Sequence, residues 1–401
     1  MRSTFNGNRL RKARIYRELT LTELAELVKK TTITKQSISS YENGKSIPDF
    51  KRIREIAKVL GFPNEYFFQE DSDDVKAKTT YFRSQSTATK KKKNSQKVKL
   101  EFIADIYEVL QKYIEFPIFN DMDIDFRGAD TIEDCNSKET INEIEIIAQK
   151  VRKAWNLGNG PINNLQYILE QHGILVTYLE TDDEAIDAFS QRTQIGHDVL
   201  YFVAISKSKV YECRIRFDMA HELGHIILHP WSEDLEAISK DEFRAREKQA
   251  NMFASSFLLP KHSFSQDVSA YPTSLEYYVS LKKKWGVSIQ AMLYRAHQLG
   301  IITVNQYQYL MRQVSKREWR KQEPQDVPYT INESIFQGAI DLLFENNIFN
   351  PDSLMQEFEY SGISFYPETI EKLLYLRTGT LKEENKNTTL LSFENIKRNY
   401  L

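Results

Sequence analysis

One stretch constrains this chain more than any other: Arg214-Ile-Arg-Phe-Asp-Met-Ala-His-Glu-Leu-Gly-His-Ile-Ile-Leu-His229. Within it His221, Glu222 and His225 form H-E-x-x-H. On a helix the two histidines stand one turn apart on one face, so both imidazoles can reach one metal ion. Neutral imidazole suits zinc, which points to a Zn2+ cofactor. Glu222 sits beside the first histidine, placed to take a proton from a metal-bound water rather than to bind the metal. A buried amphipathic helix can carry two histidines by chance, so the flanks decide.

A catalytic zinc site needs a third protein ligand and one open position. His229 lies eight residues from His221, about 12 Å along a helix axis, too far to share one ion. It is expected to be structural or to face substrate. In Glu247-Lys-Gln-Ala-Asn-Met-Phe-Ala254, Glu247, Ala250, Asn251 and Ala254 share a helical face. The two alanines allow close packing on the first helix, so Glu247 can reach the metal, and Asn251 can orient a ligand from behind. Glu233, Asp234, Glu236, Glu242 and His262 compete for the third position. Tyr201, Tyr211 and His229 are candidates for steadying an oxyanion. Cys213 precedes the helix, but a single thiol is a poor zinc framework and is expected in the core.

Upstream, Pro161 to His172 reads as a helix and Ile174 to Leu179 as a strand. Ala188–Ser190 and Val199–Ile205 are further strands. The expected fold is mainly α with a small antiparallel sheet, α+β in class.

Charge divides the chain. Residues 1–70 carry a net +6, residues 71–100 another +6, and the remainder −14. A basic front on an acidic body suggests that only the front meets a polyanion. There Thr20-Leu-Thr-Glu23 is a capping box, and Thr34 opens a short helix over Lys35–Glu42. Ile38 and Tyr41 point inward on it, leaving Lys35, Gln36, Ser37 and Ser40 outward. Such helices read as a helix-turn-helix whose Lys35 and Gln36 reach base edges in double-stranded DNA. Arg9, Lys45 and Arg52 are expected on phosphates.

The expected divisions are 1–70 for the DNA-binding domain, 71–140 for a basic linker and helical connector, 141–320 for the metallopeptidase domain and 321–401 for a helical appendage. Lys90–Lys93 lies in a Ser/Thr-rich run and is expected to be flexible. The helical patterns run from Val98 to Ile114, Ile141 to Trp155, Glu333 to Phe344 and Pro367 to Arg377. The appendage is expected to pack on the peptidase domain. Two cysteines and the lack of a long apolar run fit a cytoplasmic protein without a membrane segment.

Residues 6–68, through Leu24-Ala25, Thr34–Ser39, Tyr41-Glu-Asn-Gly-Lys45, Pro48 and Ile56-Ala57-Lys58, resemble the XRE/Cro–C1 family of phage-repressor-like domains. Lys29-Lys-Thr-Thr-Ile33 departs from it, being longer than the usual turn before the recognition helix and lacking its glycine. The resemblance implies dimers reading palindromes. Arg216-Phe217, Ala220–His225, Leu228-His229, Glu247-x-Gln-Ala-Asn251, Phe253-Ala254 and Leu258-Leu-Pro260 resemble the ImmA/IrrE zinc metallopeptidases. That resemblance implies a gluzincin-like site with His221, His225 and Glu247 as ligands and Glu222 as general base. It also implies a protein substrate, a helix-turn-helix repressor or antitoxin-like protein cut in stress response or mobile-element control. Arg216 matches a position often basic in that family, and a salt bridge at the helix start is its expected role. The alternative function is a non-proteolytic regulator or toxin–antitoxin component whose metal domain senses or binds a partner.

Overall fold

The computed structural model describes residues 4–28, 33–70, 75–82, 90–120, 126, 131–179, 188–195, 198–206, 211–229 and 238–382. The chain opens with α1 (Gly7–Tyr16), α2 (Leu21–Leu27), α3 (Lys35–Glu42) and α4 (Phe50–Leu60), followed by a short 3-10 helix, Asn64–Phe68. Thr20 caps α2 and Glu23 returns the bond, while Thr34 caps α3 through Ser37 N. Gly61 ends α4 at φ 68°, the left-handed cap that a side chain would strain.

β1 (Val75–Phe82) and α5 (Lys90–Leu110) come next. The lysine run is thus the first turn of a helix, and Lys91 Nζ lies 2.9 Å from Glu23 Oε2 on α2. Helix periodicity extends further toward the amino terminus than the apolar pattern shows, because the polar first turn carries no core signal. Then follow α6 (Ile132–Cys135), α7 (Lys138–Ala154), α8 (Leu165–Gln171), β2 (Ile174–Leu179), β3 (Ala188–Ile195) and β4 (Asp198–Ser206). α9 (Glu212–Leu228) and α10 (Lys240–Leu258) precede α11 (Lys261–Val268), α12 (Leu275–Trp285), α13 (Ile289–Gln298) and α14 (Val304–Lys316). The tail holds α15 (Ile335–Glu345), α16 (Pro351–Tyr360) and α17 (Pro367–Leu374).

The class is α+β, as expected, but the sheet is mixed rather than wholly antiparallel. Its order is β1-β3-β4-β2. β1 and β4 flank β3 in antiparallel register, whereas β2 runs parallel to β4, Ile174 opposite Tyr201. Residue alternation reports which face a side chain takes and carries no strand direction, so the parallel pair was not readable. Strand β4 is buried on both sides, which explains its near-continuous apolar run.

That sheet separates two cores. Leu200, Phe202 and Ala204 of β4 face a core shared by α1–α5 and the tail helices. Tyr201, Val203 and Ile205 face the other, built by α7–α14. The tail therefore packs mainly with the amino-terminal helices, contrary to the expected docking on the peptidase domain. Phe365 shows why: its ring sits 4.9 Å from Phe102, 5.6 Å from Tyr66 and 5.7 Å from Phe62.

Arg9 ties the same parts together. It is buried, donating to Glu70 O at 2.5 Å, Gln69 Oε1 at 3.1 Å and Gly362 O at 3.0 Å. The expected phosphate contact is overturned by this placement. Among the described residues no helix is long and apolar enough to cross a membrane.

Candidate metal centre

The site is made by two helices that touch. Ser239 caps α10, accepting from Glu242 N at 3.1 Å, and Asp241 and Glu242 complement its positive end. Helix α9 crosses it at Gly224, where a Cβ would stand 3.1 Å from Ala250 Cα and Ala250 O. A glycine facing an alanine brings the two backbones close enough for Glu247 to reach the histidines. The sequence pointed to the alanines; the matching glycine inside H-E-L-G-H was missed, although a small residue opposite a small residue signals close helix approach.

His221, His225 and Glu247 bring their ligand atoms within 4.8 Å of one another. His221 Nε2 and His225 Nε2 are 3.1 Å apart. Glu247 Oε2 lies 3.5 Å from His221 Nε2, and Oε1 lies 3.2 Å from His225 Nε2.

The outer partners fix which nitrogens face inward. Asn251 Nδ2 donates to Glu247 O at 2.8 Å, so its Oδ1 turns to His221 Nδ1 at 3.1 Å and accepts its proton. His225 Nδ1 meets His229 Nδ1 at 2.9 Å, and His229 Nε2 meets Gln249 Oε1 at 2.9 Å. Burial, then the nearness of His225, pushes His229 well below the ordinary histidine value and keeps it neutral. With Oε1 able only to accept, His229 carries its proton on Nε2 and accepts at Nδ1. His225 then donates from Nδ1 and turns a bare Nε2 inward. Two imidazole lone pairs and a carboxylate thus converge, a donor set that repels itself without a cation and suits Zn2+.

Other expectations fall as follows. Glu222 is buried on α9 at 1% exposure, beside the first histidine. Glu233, Asp234 and Glu236 lie outside the described residues, Glu242 pairs with Arg246 at 2.5 Å, and His262 is exposed on α11. Tyr201 packs edge-on against Phe119 in the second core, and Tyr211 sits at the start of α9. Arg216 pairs with Glu212 and donates to Asn163 O at 3.1 Å, the expected helix-start bridge. Cys213 is buried, its thiol pushed up to about 12 mainly by burial.

At the front, Lys35, Gln36 and Lys45 are exposed and Ser37 and Ser40 half-buried, while Ile38 and Tyr41 are in the core. Lys29–Thr32, most of the departure from the usual turn, lies outside the described residues. Arg52 is half-buried and 3.4 Å from Asp49 Oδ2.

This architecture is that of a helix-turn-helix joined to a metallopeptidase-like module. Residues 7–71 match the model of a helix-turn-helix domain family, and residues 169–313 match a peptidase family described as the IrrE N-terminal-like domain. The two matched stretches thus place an XRE-like helix-turn-helix and an IrrE/ImmA-like domain in one chain. The comparison with curated proteins found no match.

Proposed function

We propose that this protein is a DNA-binding transcriptional regulator carrying a zinc metalloendopeptidase, which cleaves a helix-turn-helix repressor or antitoxin-like protein. The observation that carries the reading is the convergence of two inward-turned imidazoles and Glu247, with Glu222 buried beside them. Zinc held by His221, His225 and Glu247 would supply Lewis acidity toward a peptide carbonyl and toward water. Glu222 takes the proton from the attacking water and returns it to the leaving amine. Asn251 holds His221 in the ring orientation that presents Nε2. Lys35, Gln36, Ser37 and Ser40 read operator DNA while Lys45 meets phosphate. In chain order, 1–70 binds DNA and 141–320 cleaves, with 71–140 as connector and 321–401 as appendage.

Incubating the zinc-loaded protein with candidate helix-turn-helix repressors and antitoxin-like proteins from its source should give one discrete cut in one of them. Glu222→Gln should slow that cut by about 10²–10⁴-fold, the usual contribution of a general base. Cleavage that persists unchanged in Glu222→Gln sinks the proteolytic reading. A second reading, a regulator whose metal domain only senses, is favoured by the continuity of the helix-turn-helix core with one sheet face. It requires operator affinity to change on zinc loading in Glu222→Gln as in the parent protein.

A further inference from the structure

We infer that His229 and Gln249 form a positioning pair for the metal ligand His225, fixing its tautomer through a relay of hydrogen bonds. The inference rests on the proposed metal site and adds residues to which the ligand pattern assigns no role.

The two histidine ligands are supported unequally. His221 Nδ1 meets one amide oxygen, on Asn251, which is itself anchored to the backbone of α10. His225 Nδ1 meets a second imidazole, and a neutral imidazole can either donate or accept at that atom. His229 alone would therefore leave the His225 tautomer undetermined. Gln249 removes the ambiguity. Its Nε2 donates to Cys135 Sγ at 3.4 Å, which turns Oε1 to His229 Nε2 at 2.9 Å. The acceptor at one end of His229 makes the other end an acceptor, and His225 must donate. His225, His229, Gln249 and Cys135 are all buried, His229 at 5% and Gln249 at 1% exposure, so competition from bulk water is small.

Helical spacing accounts for the arrangement. His229 is four residues beyond His225, at the carboxyl end of α9, so its ring stacks over the turn that carries the ligand. The same spacing that removes His229 from the ion puts it behind the second ligand. Gln249 comes from α10, as do Glu247 and Asn251, so one helix supplies the third ligand and the outer support for both histidines.

The test uses the full-length protein and Zn2+ as probe. Histidine ring nitrogens are to be followed by 15N NMR in the metal-free protein, which has only seven histidines to assign. Zinc affinity is to be measured by chelator competition. In His229→Phe, His225 should shift toward the Nε2-protonated tautomer and zinc affinity should fall by about 10- to 100-fold. Gln249→Met, a smaller change in case His229→Phe fails to fold, should move both readouts the same way by less. Rescue of the tautomer by His229→Gln, whose amide oxygen can accept, would add support. An unaltered His225 tautomer with zinc affinity within about twofold of the parent, in either folded variant, overturns the inference. Glu247→Ala separates the two levels. If it abolishes zinc binding while the relay variants do nothing, only the positioning role fails; if zinc binding survives Glu247→Ala, the metal site itself has been misassigned.

Discussion

The candidate metal centre and the aromatic core around Phe365 are held by opposite means. At the centre, side chains from two successive helices meet atom to atom: Asn251 Oδ1 on His221 Nδ1, His229 Nδ1 on His225 Nδ1. Around Phe365, the rings at positions 62, 66 and 102 pack on its own ring at 4.9–5.7 Å with varied interplanar angles. Directional polar contacts specify chemistry and contribute little net stability each. Apolar packing specifies no chemistry and contributes most of the stability. Damage to the two regions should therefore separate.

The largest expected effect is on the aromatic side. Phe365 is 5% exposed, and Phe365→Ala should lower unfolding free energy by about 3–5 kcal/mol, as for other buried aromatic truncations. Zinc affinity of the folded fraction should stay within a few-fold of the parent, because α9 and α10 lie in the other core. Urea denaturation with chelator competition on the same samples checks both. A fall in zinc affinity as large as the stability loss would break the separation.

Legibility follows the same division. H-E-x-x-H, Glu247 and Asn251 were readable because a helix converts spacing into geometry, and nothing outside 221–251 had to be known. The capping box at Thr20 and the outward face of α3 were readable for the same reason. Other features were not. β1 pairs with β3 across more than a hundred residues, and its sequence carries no sign of that partner. α16 is a helix of mixed polarity whose inward residues, Leu354 and Phe358, give a short signal. Arg9 looks like any basic residue at the front of a DNA-binding domain until Gly362, far along the chain, supplies its acceptor.

Arg9 gives the next test, smaller in size. Arg9→Leu removes hydrogen bonds to Gln69, Glu70 and Gly362 and should cost about 1–3 kcal/mol in stability. The salt dependence of operator binding should not change, since Arg9 neutralises no phosphate in this placement. Lys45→Ala, at an exposed position, should instead reduce the slope of log affinity against log salt by about 1 while leaving stability alone. If Arg9→Leu lowers that slope and Lys45→Ala does not, the two basic residues have exchanged roles.

The last test sits where the two cores meet. Glu170 on α8 is buried, and its carboxyl accepts from Gln166 Nε2 at 3.3 Å and from the backbone of Val176 in β2 and Ile335 in the tail. Burial outweighs these bonds and raises its pKa from 4.5 to about 8. The folded chain thus keeps a proton that the unfolded chain releases, and linkage gives the sign. The contribution of Glu170 to stability is full below about pH 4.5 and is lost as pH rises through about 8. Glu170→Gln cannot titrate, so its stability should fall less over that window, the difference from the parent reaching at most about 1.4 kcal/mol per pH unit. Urea midpoints for both proteins at pH 5, 6, 7 and 8 measure it. Parallel curves would mean that Glu170 is ionised in the folded protein, and that the seam between the β2 edge and the tail is wetter than its burial implies.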